Sequence, residues 1–143
     1  MNRIYNNEAI IMLCIMRLLK NGAMDMAKLM LCMVLAVDDR LNSKIRYAYK
    51  IENIYAELCQ DSLLNRKFIS YGPYFMNAII VLYQLNCIKN LGNDIYIVDN
   101  VFGNEVKTHS RRMVRVFSAS DNIIRLFSQI STSEMYNRLR IQL

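Results

Sequence analysis

Apolar residues are distributed differently in the two halves of the chain. Near the N-terminus they run together: Ala9 to Met16 is unbroken apolar sequence, and so is Leu29 to Val37. The first run predicts a helix from Asn6 to Lys20, with Asn6 or Asn7 as N-cap and Asn21-Gly22 as the stop. The second predicts a helix from Asp25 to Val37, opened by Asp25, interrupted only by Lys28 and closed by Asp38-Asp39-Arg40. Neither helix shows a polar face. A helix that is apolar all round must be covered on more than one side, so each is either the central helix of a bundle or part of a partner interface. Leu13, Met16, Leu29 and Met33 are the candidate apolar contacts of such an interface.

The middle of the chain changes rhythm. Lys44-Ile-Arg-Tyr-Ala-Tyr-Lys50 alternates, which predicts a short strand or extended loop with Ile45, Tyr47 and Tyr49 on one side. Bases interleaved with tyrosines suit either a solvated strand edge with the tyrosines packed inward or stacking on a single nucleic-acid strand. Ile51 to Cys59 and Ser62 to Phe68 read as short helices. Gly72-Pro73 then breaks the chain, and Pro73 opens a helix over Tyr74 to Asn86. Cys87 to Lys89 and Ile95 to Val98 read as two strands around the turn Leu91-Gly92-Asn93-Asp94.

After a loop from Asp99 to Glu105, helical periodicity returns over Thr108 to Ile130. Met113, Val116, Phe117, Ile123, Ile124, Phe127 and Ile130 mark the apolar face. Arg111, Arg115, Ser118, Asn122, Arg125 and Gln129 form the polar stripe, with Arg112 beside it. Ser118-Ala-Ser-Asp121 has the form of a capping box that divides this helix, and Ser131-Thr-Ser-Glu134 of one that starts a last short helix. Arg138 to Leu143 alternates and predicts a terminal strand.

These elements predict a mainly α, compact helical domain spanning residues 1–143. Three helices followed by a hairpin, over about 51–99, is the order of a winged helix, and a basic helical segment occupies about 107–143. A length of 143 residues, 54% apolar, suffices for a real core. One proline and four glycines are too few turn residues for a sandwich of short strands. No apolar run approaches the roughly 18 residues of a membrane span. The N-terminus lacks a signal-peptide pattern, so the expected location is the cytoplasm.

The net charge is +6 and is concentrated late in the chain. Beyond residue 106, Lys107, Arg111, Arg112, Arg115, Arg125, Arg138 and Arg140 face only Asp121 and Glu134. Such a patch is a solvated face, a seat for an acidic partner, or a contact for phosphates. The arginines are therefore the candidate partner or phosphate contacts. The predicted helix over Tyr74 to Asn86 contains no basic residue, which makes it a poor reader of DNA and a better docking element.

No catalytic template fits. There is neither a phosphate-binding G-x-x-x-x-G-K-[ST] nor a G-x-S-x-G elbow. Cys14, Cys32, Cys59 and Cys87 stand apart in apolar stretches and read as free buried thiols, not zinc ligands. His109 is the single histidine and reads as part of a solvated turn. The expectation is a protein without enzymatic activity, cofactor or metal.

Several of these elements in order carry a family resemblance over about Asn6 to Leu143. They are the apolar helix after Asn6-Asn-Glu-Ala9, the run Leu29 to Val37 closing on Asp38-Asp39-Arg40-Leu41, and Asn77-Ala78 in the helix running into Cys87-Ile88. The basic amphipathic helix and Ser133-Glu-Met-Tyr-Asn-Arg-Leu-Arg-Ile141 complete the set. In this the chain resembles the small middle component of bacterial three-component ABC-ATPase defence systems, of the Lamassu kind. Leu41-Asn42-Ser43 and Lys44 to Lys50 depart from a proline-containing pattern of some members. The resemblance implies an adaptor between an SMC-like ATPase and an effector, often a nuclease, in defence against phage or plasmids. ATP and metal chemistry would belong to the partners, and DNA would be met mainly through the complex. A winged-helix protein that contacts phosphates through its basic C-terminal helix is the alternative.

Overall fold

The computed structural model describes residues 3–59, 63–97 and 110–141. The described chain is mainly helical. Its helices are α1 (Arg3–Leu18), α2 (Met26–Val37), α3 (Asp39–Arg46), α4 (Ile51–Leu58), α5 (Leu64–Gln84), α6 (Arg111–Phe127) and α7 (Thr132–Leu139). Strands β1 (Met24–Asp25), β2 (Ile88–Leu91) and β3 (Asp94–Ile97) form an antiparallel sheet in the order β1-β3-β2.

Helix α2 is the centre. Its start is local chemistry: the Asp25 carboxylate accepts the Lys28 backbone N–H at 2.8 Å. The rest is burial. Leu29 and every residue from Leu31 to Val37 is buried, because α1, α3, α5, α6, α7 and β1 surround the helix. Of the two all-apolar helices, α2 is therefore the one enclosed on all sides. Helix α1 packs against α2, α5 and α6 through Ile11, Cys14, Ile15 and Leu18. It runs from Arg3, so Asn6 and Asn7 lie within it and do not cap it. A turn of 3-10 helix over Leu19–Asn21 follows, and Gly22 ends it with φ 154° and ψ 169°. Glycine alone tolerates that region, so Gly22 is the stop that Asn21-Gly22 was expected to supply.

Asp38 makes the corner between α2 and α3. Its backbone is extended, and one carboxylate oxygen accepts from the N–H groups of Arg40 and Leu41, both at 3.2 Å. The Lys67 ammonium reaches the same oxygen at 3.1 Å, and the Tyr71 hydroxyl donates to the other at 3.4 Å. Burial, with Asp38 adding to it, pushes the Tyr71 phenol up to about 12.

Four expected elements fold differently. The alternating segment Lys44 to Lys50 is not a strand: α3 continues through Arg46, because Leu41, Asn42 and Ile45 all face the core at helical spacing. The proline break is absent too. Helix α5 runs 21 residues with Pro73 inside it. Pro73 is exposed, and Phe68 before it and Phe75, Ala78, Ile79 and Leu82 after it continue one buried face. Packing on both sides outweighs the lost backbone hydrogen bond. Ser118-Ala-Ser-Asp121 does not divide α6. Ser120 is buried and donates back to the Val116 carbonyl at 2.8 Å, while Val116, Ala119 and Ile123 hold the helix to the core. Where a terminal strand was expected over Arg138 to Leu143, Arg138 and Leu139 instead end α7, which closes at Arg140 in the left-handed conformation (φ 56°), and Gln142 and Leu143 lie outside the described residues. The Ile141 N–H then bonds the Tyr136 carbonyl at 3.1 Å, and its side chain is buried.

The hairpin forms as expected, with Ile88 opposite Ile97 and Leu91 opposite Asp94. Gly92 (φ 63°) supplies the positive dihedral of its two-residue turn. The sheet's third strand was not expected. Met24 pairs with Ile95 and Asp25 with Asp94, so the sheet draws on residues well outside the 51–99 span. The basic C-terminal segment is no appendage either: Met113, Val116, Ile123, Phe127, Met135 and Leu139 belong to the same core cluster as α1 and α2. The loop Asp99 to Glu105, Val98, Lys107, Thr108 and His109 lie outside the described residues.

Candidate functional site

Helix α3 ends at Arg46, and the connection to α4 is held from behind by α6. The Asn122 side-chain amide donates to the carbonyls of Ile45 (2.7 Å) and Ala48 (2.9 Å). The Arg125 guanidinium donates to the carbonyls of Ala48 (3.2 Å) and Tyr49 (3.3 Å), and to the Asn122 side-chain oxygen (3.0 Å). With the backbone pinned from this side, the flanking tyrosines turn outward. Tyr47 is 77% exposed and Tyr49 79%, the reverse of the inward packing that alternation suggested. The Arg46 guanidinium lies 4.7 Å from the centre of the Tyr47 ring, and that of Arg125 lies 5.9 Å from the Tyr49 ring. An open cleft of about 430 Å³ lies here, lined by Lys44, both tyrosines, Asn53 and Glu57 among others.

Two features separate in sequence thus meet: the tyrosine segment and the arginine stripe. A third link is Asn42, buried, whose amide donates to the carbonyls of Ala36 (2.6 Å) and Arg115 (3.1 Å). It ties α3 alongside α6. Arg115, Ser118, Asn122 and Arg125 follow one another at steps of three and four, so the stripe runs down the α6 edge that borders α3.

The six candidate arginines do not act as one set. Arg111 and Arg115 are exposed on α6. Arg112 is half-buried, its Nε without a hydrogen-bond partner. Arg125 is exposed but committed to the α3–α4 connection. Arg138 lies in α7, 5.9 Å from the ring of Tyr55 on α4, and Arg140 caps the end of that helix.

The four residues expected at an apolar interface are not on the surface as a set. Leu29 and Met33 are fully buried, Met16 is buried, and Leu13 is partly buried against the core. These four side chains make the inside of the molecule, because α2 is enclosed and α1 packs against it. A line of exposed apolar side chains lies instead on the outer side of α5. Ile69 (61% exposed), Pro73, Met76 (45%) and Ile80 (49%) follow one another at steps of four, three and four. The spacing puts them on one line of the helix. That line was readable in sequence but was cut by the expected break at Pro73.

Among the described residues no group of three or more His, Cys, Asp or Glu side chains could hold a metal ion. Asp38 is occupied in capping and in pairing with Lys67, and Asp121 pairs with Arg17 through two contacts of 2.8 Å. Cys14 and Cys32 are fully buried, and burial pushes both thiols up to about 12. The thiolate is the reactive form. At neutral and mildly alkaline pH these two thiols therefore stay protonated as well as shielded, while Cys59 is partly exposed. Brief treatment of the native protein with iodoacetamide at mildly alkaline pH is expected to label Cys59 first. Cys14 and Cys32 should react only in denaturant. Peptide mapping that finds Cys14 or Cys32 labelled as fast as Cys59 would contradict the packing described here. Among the described residues no helix is long and apolar enough to cross a membrane.

No family model, curated protein or solved structure matches the chain.

Proposed function

We propose that this chain is a non-catalytic adaptor subunit that bridges an SMC-like ABC ATPase and an effector nuclease in an anti-phage or anti-plasmid defence complex. The observation that carries the adaptor role is the apolar line Ile69, Pro73, Met76 and Ile80 on the outside of α5. The buried apolar residues close a core around α2 without this line. A contiguous line of exposed apolar side chains is a mark of a protein contact. From Ser70 to Gln84 the helix bears no charge, so this face offers phosphates nothing and an apolar partner a great deal. The named partners rest on the resemblance in ordered pattern described above.

In this reading the winged-helix arrangement is not the expected 51–99 span, where two helices stand in place of three, but α1, β1, α2, α5 and the hairpin with α3 and α4 inserted. A strand between the first two helices, adding to the hairpin in the order β1-β3-β2, supports it. Helix α5 then takes the position that reads DNA in other proteins of that architecture and presents apolar side chains instead.

The test is co-expression with the products of the two flanking open reading frames, which this reading expects to be an SMC-like ATPase and a nuclease. The double variant Ile69→Asp/Ile80→Asp is expected to weaken assembly by at least about 30-fold, the range of a lost interface hot spot. Both side chains are exposed, so folding stability should stay within about 1 kcal/mol of the parent. A folded variant recovered in the complex at parental yield would sink the assignment of this face. A parent chain that ignores both neighbours would sink the adaptor role.

A further inference from the structure

The surface at the α3–α4 connection is not used by the adaptor reading, and its construction is specific. Two tyrosines stand outward within three residues, each with a guanidinium near its ring. Four hydrogen bonds from Asn122 and Arg125 fix the backbone carbonyls beneath them. Among the described residues, Arg46, Lys44 and Lys50 form no ion pair, and the Arg46 Nε has no hydrogen-bond partner. The cleft is of a size that holds small organic groups. The positive charge continues along α6 through Arg115 and Arg111.

We infer that this surface binds single-stranded nucleic acid, with Tyr47 and Tyr49 stacking on successive bases and Lys44, Lys50 and the α6 arginines following the phosphates. Aromatic faces recognise bases because every base has a π face, and cations spaced along a groove track the backbone. The pinned backbone means that little ordering is left to do on binding. Duplex DNA fits worse, since its bases are already stacked and present edges, not faces. An acidic peptide would satisfy the cations but leave the tyrosines unused. Glu57 lines the α4 wall of the cleft, and its carboxylate keeps the phosphates toward the α6 side.

The experiment is fluorescence anisotropy of a labelled short oligothymidylate with the full chain at low salt. Quenching of the intrinsic tyrosine emission gives a second readout, since the chain has no tryptophan. Tyr47→Ala and Tyr49→Ala are each expected to weaken binding about tenfold, while Tyr→Phe at either position stays within about twofold. The logarithm of the affinity should fall with the logarithm of salt concentration, and Lys44→Ala or Lys50→Ala should each reduce that slope by about 0.7. Glu57→Gln should tighten binding. The Ile69→Asp/Ile80→Asp variant should bind the oligonucleotide as the parent does, which separates this site from the α5 face. Three results would overturn the inference: no binding by the parent chain at low salt, parental affinity in a folded Tyr47→Ala/Tyr49→Ala variant, or competition by duplex DNA or polyglutamate as effective as by unlabelled oligothymidylate.

Discussion

Leu35→Ala is expected to destabilise the fold by about 3 kcal/mol, a large share of the 5–15 kcal/mol typical of a domain. The reason is position. Leu35 has no exposed surface, and its helix is wrapped by five other helices and β1. Truncation removes the favourable burial of the side chain and leaves a cavity. The surrounding helices are themselves packed against one another and cannot collapse to fill it. Urea unfolding followed by circular dichroism measures the loss directly. Ile69→Ala on the outer face of α5 is the matched control, and it should change stability by no more than about 0.5 kcal/mol. Equal effects of the two substitutions would mean that α2 is not the centre of the fold.

The second large effect is expected from Lys28, the one charged residue in α2. Its ammonium donates to the carbonyls of Phe127 (2.8 Å) and Ile130 (2.7 Å), at and just beyond the end of α6. Carbonyls at a helix C-terminus have no partner within the helix and carry its negative dipole end. A lysine from the central helix therefore closes α6 electrostatically and ties the α6–α7 turn to the core. The neighbouring contacts reinforce the joint. Thr132 donates to the Asp25 carboxylate, and the Tyr136 hydroxyl donates to the Ala27 carbonyl at 2.6 Å. Lys28→Met keeps most of the stem volume but removes both charge-assisted hydrogen bonds. At about 1.5 kcal/mol or more for each such bond, the variant should lose roughly 3 kcal/mol. Hydrogen exchange should quicken first in the last turn of α6 and the start of α7. A variant with parental stability and unchanged exchange there would show that the two carbonyls are served by water.

The partners of Lys28 are not legible in the sequence. The residue looked like an interruption in an apolar run, because the carbonyls it serves lie about a hundred residues later in the chain. The candidate surfaces were partly legible in the same sense. The arginine stripe followed from period alone. The tyrosine segment stood out by its composition, but its secondary structure and the direction of its side chains came from Asn122 and Arg125. The α5 line was hidden by Pro73, whose local preference is to end a helix.

What the sequence by itself determined were features with short-range causes. Asp25, Ser110 and Ser131 each accept the backbone N–H three residues ahead, as in any N-cap. Gly92 permits the hairpin turn, and the 3.6-residue period of α6 sorts core from surface. Tertiary structure alone decided whether Lys44 to Tyr49 coils or extends, whether Pro73 stops a helix, and which apolar residues remain outside. It also recruited Met24 and Asp25 as a third strand. Each of these outcomes is a competition in which local preference is worth about 1 to 3 kcal/mol. Burial of several side chains against a distant element is worth more, and the element that supplies it is visible only once the chain has folded.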